Sequence, residues 1–140
     1  MPGSRPDVSQ LEVASADSLV FRFVQPGHIN AGAPAGFRLQ TAALPSNEYT
    51  PNDKSYGASV YVKSLLARGL ADLHDACEKW RIWRVAEVPV AEVLAVGARV
   101  VLSPQDCRFE SIRHAHASLL DVTKERRNKL IRIIERYLVS

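Results

Sequence analysis

The chain has 140 residues, 46% hydrophobic and 24% charged, proportions of a folded globular domain that exclude wholesale intrinsic disorder. No apolar run reaches the roughly 18 residues of a membrane span, and the first residues lack the basic-then-apolar order of a signal peptide, so a cytoplasmic protein with no membrane contact is expected. The net charge of +3 is uneven: residues 122–140 carry six basic and two acidic side chains, and the remainder is slightly acidic.

Residues 1–17 combine Pro, Gly, Ser and Asp with few large apolar side chains, which predicts a disordered or weakly docked end before a single domain over 18–140. Leu19–Val24 has β character and stops at the turn signal Pro26-Gly27; Arg22 is a lone charge within this apolar run. Residues 25–54 hold four prolines and three glycines and read as a long irregular stretch, a candidate lid or binding loop. From Tyr56 to Val62 β character returns, with Ala58, Val60 and Val62 on one face and Ser59 and Tyr61 on the other.

Ser64 is a candidate N-cap for a helix through about Lys79, carried by Leu66, Leu70, Leu73, Cys77 and Trp80 at steps of three and four and weakened at Gly69. A β-like run over Arg81–Val88, a short helix after Pro89, a stop at Gly97 and a strand over Arg99–Leu102 closed by Ser103-Pro104 follow. His114–Leu119 fits either a strand or the start of one long helix. The end of the chain is helical in both cases, from about Val122, with Lys124, Arg126 and Arg127 near the helix N-terminus, where cations are disfavoured.

His114 and His116 are the sharpest chemical feature. On a strand, residues at i and i+2 point the same way and can share a phosphate or a proton-transfer task; on a helix they diverge. Third ligands at metal-site spacing are missing, so no metal is expected. Cys77 and Cys107 lack CxxC spacing and read as reduced, Cys77 with a packing role. Phosphate-loop, dinucleotide-loop and nucleophile-elbow motifs do not occur, which sets aside the enzyme classes built on them. Trp80 and Trp83 read as core or interface aromatics rather than a stacking platform for bases.

The blocks Leu19-Val20-Phe21-Arg22, Pro26-x-His28-Ile29, Gly36-Phe37-Arg38, Ala58-Ser59-Val60-Tyr61, Val88-Pro89-Val90 and His114-Ala115-His116, in this order, resemble a group of small bacterial proteins of uncharacterised activity. A fainter likeness runs to ADP-ribosyltransferase-like toxins, where an early strand bears an arginine, a middle strand a serine and a late strand a further polar group. Arg22, Ser59 and the His114/His116 region stand at those places. The resemblance implies a site for an anionic dinucleotide, with NAD as a candidate cofactor.

The expected fold is α+β: a single domain with a central mixed or antiparallel sheet, a mid-chain amphipathic helix and a basic C-terminal helix. The expected function is a toxin- or defence-type bacterial domain that binds a nucleotide or other phosphate-bearing ligand. Its site would use His114, His116 and Ser59 as catalytic groups and Arg22, Tyr61, His28 and Arg38 as ligand contacts. The alternative is a non-catalytic module whose basic helix docks an acidic protein or nucleic acid through Lys124, Arg126, Arg127 and Lys129.

Overall fold

A computed structural model of the chain describes residues 14–30, 38–39 and 58–139. Among them the elements run β1 (Leu19–Val24), β2 (Ile29–Asn30), β3 (Arg38–Leu39), β4 (Ala58–Val62), α1 (Leu70–Ala76), β5 (Arg84–Pro89), α2 (Val90–Ala95), β6 (Arg99–Leu102), β7 (His116–Leu120), α3 (Lys124–Arg136) and β8 (Leu138–Val139). Six strands form one sheet in the order β6-β7-β4-β1-β5-β8, antiparallel at every pairing, while β2 and β3 pair separately. The fold is α+β, with the sheet antiparallel throughout the described residues.

Side-chain alternation builds a core on each face of this sheet. Val20, Val24, Val60, Val62, Val88 and Leu119 point to the face covered by α2 and α3, where they meet Val90, Val93, Leu130, Ile131 and Ile134. Phe21, Phe23, Tyr61 and Val85 point the other way and pack with Leu73 of α1, Trp80, Cys107 and Ile112. β7 is buried along its whole length, as a strand flanked by β6 and β4 and covered on both faces must be.

The sheet carries one local defect. β1 pairs with β5 along all six of its residues, but with β4 only at Val20–Val62 and Phe21–Tyr61. Beyond Phe21 the guanidinium of Arg22 reaches across, and its Nη1 donates to the Ser59 carbonyl at 2.9 Å. A side-chain donor thus stands where the ladder would supply a backbone one.

The mid-chain helix is shorter than its apolar stripe predicts. A 3-10 turn spans Lys63–Leu65, α1 begins only at Leu70, and a second 3-10 turn spans Glu78–Arg81. Ser64 therefore lies inside the first turn rather than capping a helix. Gly69, at φ +60 and ψ −127, is the break before α1, a conformation glycine reaches without a Cβ penalty. The stripe still does its packing work: Leu66, Leu73 and Trp80 are buried, and Leu70 and Cys77 pack against them. Because the second turn takes Trp80 and Arg81, the following strand starts at Arg84.

Ala14 is buried, and its N–H donates to the Val100 carbonyl at 2.9 Å, so the chain is docked before Ser18. Of the expected 1–17 tail, residues 1–13 lie outside the described residues. So does most of the expected 25–54 loop, whose described parts are a 3-10 turn over Pro26–His28 and the strands β2 and β3.

The strand-or-helix ambiguity of the last third resolves between the two histidines. Glu110–Ala115 is a 3-10 turn and His116–Leu120 a strand. After β7, Asp121 turns the chain at φ +60, a left-handed conformation that Asp tolerates better than most residues. Arg99 Nε donates to its carboxylate at 2.6 Å and Arg126 Nη1 to its carbonyl at 2.9 Å. Gly97 ends α2 at φ +95, and a Cβ there would stand 2.9 Å from Arg126 Nε.

Thr123 caps α3: its Oγ1 accepts the Arg126 N–H at 3.3 Å, satisfying one of the orphan donors of the first turn. Thr123→Ala should lower the unfolding free energy by about 1 kcal/mol, and Thr123→Ser should restore most of it. Urea denaturation followed by circular dichroism measures both; equal midpoints for all three proteins would show that the cap contributes nothing.

Candidate functional site

Where β1 and β4 part, a cleft of about 430 Å³ opens on the face of the sheet opposite α2 and α3. Its floor and walls come from β1, β4, the start of β7, the turn at Trp80–Trp83 and the segment 106–109. Alternation in β4 turns Ser59 and Tyr61 into it, and the register Ser59–Ser118 and Tyr61–His116 sets His116 diagonal to Ser59 on the neighbouring strand. The His116 Nε2 lies 3.0 Å from Ser59 Oγ. A diagonal neighbour is within reach of a side chain as long as histidine.

The far side of the imidazole is fixed by the end of β6. Ser103 continues the β6–β7 ladder by donating its N–H to the His116 carbonyl at 2.9 Å; its own carbonyl accepts the Asp106 N–H at 3.0 Å and lies 2.8 Å from His116 Nδ1. A carbonyl oxygen can only accept, so Nδ1 carries the proton and Nε2 presents a lone pair. Ser59 Oγ–H then donates to Nε2. The Ser103 hydroxyl lies 3.0 Å from Nδ1 and 2.6 Å from the Ser118 hydroxyl, closing a buried polar group beneath the cleft. His116 is 2% exposed and Ser103 and Ser118 are wholly buried, whereas Ser59 is exposed.

Aromatic rings make the opposite wall. Phe23 stacks on Trp80 at 4.5 Å between centroids; Phe109 meets Trp80 edge-on at 5.2 Å, and Tyr61 meets His116 edge-on at 5.3 Å. Trp80 is thus both core and cleft, and half-buried Trp83 lines the same space. Arg108 lies 5.0 Å from the centre of the Phe109 ring, at the rim. His28 and Gln25 complete the lining on the β1 side.

Burial sets the electrostatics. It lowers the Arg22 pKa to about 10, against a smaller raising influence of Tyr61, so the guanidinium stays positive at neutral pH. It pushes the Tyr61 hydroxyl well above the ordinary phenol range, helped by the Cys107 sulfur 4.0 Å away, so Tyr61 is a neutral group. Desolvation also lowers the His116 pKa, opposed by the bond to the Ser103 carbonyl and by Asp106. A neutral imidazole whose Nε2 lone pair accepts from a hydroxyl is in the protonation state of a general base.

Of the expected site residues, Arg22, Ser59, Tyr61, His28 and His116 share this cleft. His114 does not. The strand begins at His116, so His114 belongs to the preceding 3-10 turn, where its Nε2 donates to the Leu65 carbonyl at 2.8 Å outside the cleft. Arg38 pairs with Asn30 through β3, and its side chain lies outside the described residues. The sequence reading gives no site role to Ser103, Ser118, Asp106 or Arg108, and reads Trp80 and Trp83 as core or interface aromatics. The Ser103-Pro104 strand end was the one available signal for the first of these.

The cations of α3 are largely used within the chain. Arg126 holds the Asp121 carbonyl, Lys129 pairs with Glu125 at 3.6 Å, and Arg127 Nε donates to Asn128 Oδ1 at 3.4 Å. Lys124 is exposed. Among the described residues there is no group of three or more His, Cys, Asp or Glu side chains that could hold a metal, and no helix is long and apolar enough to cross a membrane. The chain matches no known protein family, no curated protein and no solved structure.

The lowered His116 pKa has a sign that can be measured. The folded chain binds the proton less readily than the unfolded one, so this contribution to stability is complete above the unfolded value near ~6.5 and is lost as pH falls toward the folded one. Urea midpoints should therefore drop between pH 7.5 and pH 5, and the drop should shrink in His116→Asn, whose amide can still donate to the Ser103 carbonyl. An undiminished drop in the variant would assign the acid sensitivity to other groups.

Proposed function

We propose that the cleft binds a nucleotide or other phosphate-bearing ligand. The observation that carries this reading is Arg22: a guanidinium held within the sheet by the Ser59 carbonyl, lining a cleft whose other wall is aromatic. A fixed cation in a partly desolvated site favours an anion far more than the same charge in water. Arg108 adds a second cation at the rim, and the rings of Trp83 and Phe109 offer flat apolar surface to a base. Five aromatic side chains beside two arginines match the two chemical halves of a nucleotide.

Arg22, Ser59 and His116 are also positions on which the resemblance to ADP-ribosyltransferase-like toxins rests. That they line one cleft supports NAD as the first ligand to try, and with it a toxin- or defence-type role. Ser59 and His116 make the site more than a receptor, since a hydroxyl bonded to a basic imidazole is equipped for proton transfer.

Isothermal titration with NAD, ADP-ribose and AMP tests the reading. At least one should bind, with an affinity that falls as salt is raised. Arg108→Ala, at an exposed site, should weaken binding several-fold, and Arg22→Lys, which keeps the charge and loses the fork, by about tenfold or more. No binding of any of the three to the folded wild-type protein would overturn the proposal.

A further inference from the structure

We infer that Ser59 is a nucleophile worked by His116, and that its target is the phosphorus of a phosphate ester or anhydride lodged against Arg22. The choice of phosphorus rests on the phosphate-binding reading of the cleft; the nucleophile does not.

Three contacts in line define the device: Ser59 Oγ to His116 Nε2 at 3.0 Å, His116 Nδ1 to the Ser103 carbonyl at 2.8 Å, and that carbonyl to the Asp106 N–H at 3.0 Å. Hydroxyl, imidazole and orienting acceptor are the three roles a serine nucleophile requires, and a backbone carbonyl fills the third. The carbonyl fixes the tautomer, so Nε2 is ready to take a proton. Exposure separates Ser59 from a merely structural hydroxyl. Ser103 and Ser118 are buried and need internal partners, whereas exposed Ser59 can satisfy its hydroxyl with water. Its bond to His116 meets no demand of burial, and it aims the oxygen into the cleft.

In the step proposed, Ser59 Oγ attacks phosphorus while its proton passes to His116 Nε2. The Oγ–P bond forms, the bond from phosphorus to the leaving oxygen breaks, and His116 returns the proton to that oxygen. Water then attacks the phosphoserine: a new O–P bond forms, the Oγ–P bond breaks, and His116 carries the proton from water back to Ser59. Arg22 is anchored 2.9 Å from the Ser59 carbonyl, one residue's backbone away from the reacting hydroxyl, where its charge stabilises the negative phosphoryl oxygens. His28, Asp106, Cys107, Tyr61, Arg22 and Arg108 are the other titratable groups lining this space.

Diisopropyl fluorophosphate, a phosphorus electrophile that needs no nucleotide recognition, tests the nucleophile on the full chain. Intact-mass and peptide analysis should find one diisopropylphosphoryl group, on Ser59. Ser59→Ala should abolish it, and His116→Asn should slow it by about 100-fold or more. The wild-type rate should rise with pH through one ionisation below the ordinary histidine range and then level off, a profile that carries the test if His116→Asn does not fold. No modification of Ser59, a rate unchanged in folded His116→Asn, or a rate still rising through alkaline pH overturns the inference. Titration of the same samples with NAD, ADP-ribose and AMP separates the two claims. Nucleotide binding without labelling overturns the nucleophile alone, and labelling without nucleotide binding supports the nucleophile and overturns the phosphorus target.

Discussion

One hydrogen bond, from Arg22 to the Ser59 carbonyl, allows this sheet to be split without being broken. β1 and β4 separate after two paired residues, and a gap of that kind inside a sheet leaves backbone groups seeking partners in a place with little water. The guanidinium answers the Ser59 carbonyl, and its long apolar stem lies beside Val20 and Val60 on the helix-covered side of the sheet. Everything distinctive about the molecule follows from this arrangement. The split makes the cleft, the bond fixes the backbone of Ser59 at its edge, and a positive charge is left in a desolvated position.

That charge gives the cleft a consistent electrostatic character. Burial lowers the pKa of both Arg22 and His116, so the surroundings oppose positive charge at each. Histidine yields by staying neutral; arginine, with its far higher intrinsic pKa, cannot. Tyr61 stays neutral for the same reason, its hydroxyl pushed up by burial. A site that holds a cation against its environment gains most when an anion arrives, and one that keeps a histidine neutral has a base ready at the same moment. The serines beneath the imidazole belong to the same economy of space. Hydroxyls are small enough to be buried on β7 and at the end of β6 without opening the core, yet polar enough to keep the Ser103 side of the ring satisfied.

Much of the scaffold is legible in the sequence because alternation and turn residues report directly on it. β1 and β6 run over the stretches that their β-branched residues mark, the alternation of Val60, Tyr61 and Val62 assigns the two faces correctly, and Arg22 stands out as a lone charge in an apolar strand. The mid-chain helix misleads because a spacing of three and four fits short 3-10 turns around a helix of about two turns as well as it fits one long helix. His114 misleads because the change from turn to strand falls between two residues of one His-Ala-His motif. Ser103 and Ser118 are illegible for a different reason. They meet only through the β6–β7 register, and no local pattern announces which residues a register will set side by side. The acidic and basic rim residues Asp106 and Arg108 lie in a segment of turns, where periodicity carries no information.

The group that orients His116 is a main-chain carbonyl, with a consequence for heredity rather than for energetics. Where a carboxylate performs this task, one codon change deletes it. Here any residue at position 103 supplies the same oxygen, so substitution there can loosen the surroundings of the imidazole but cannot remove its acceptor. Only a change in the path of the chain at the end of β6, where Pro104 opens the next turn, can do that. The arrangement is therefore inherited with the backbone. Distant descendants could differ at every side chain around the ring and still hold the histidine in the same tautomer, which makes the shape of this strand end a better mark of kinship than the identity of its residues.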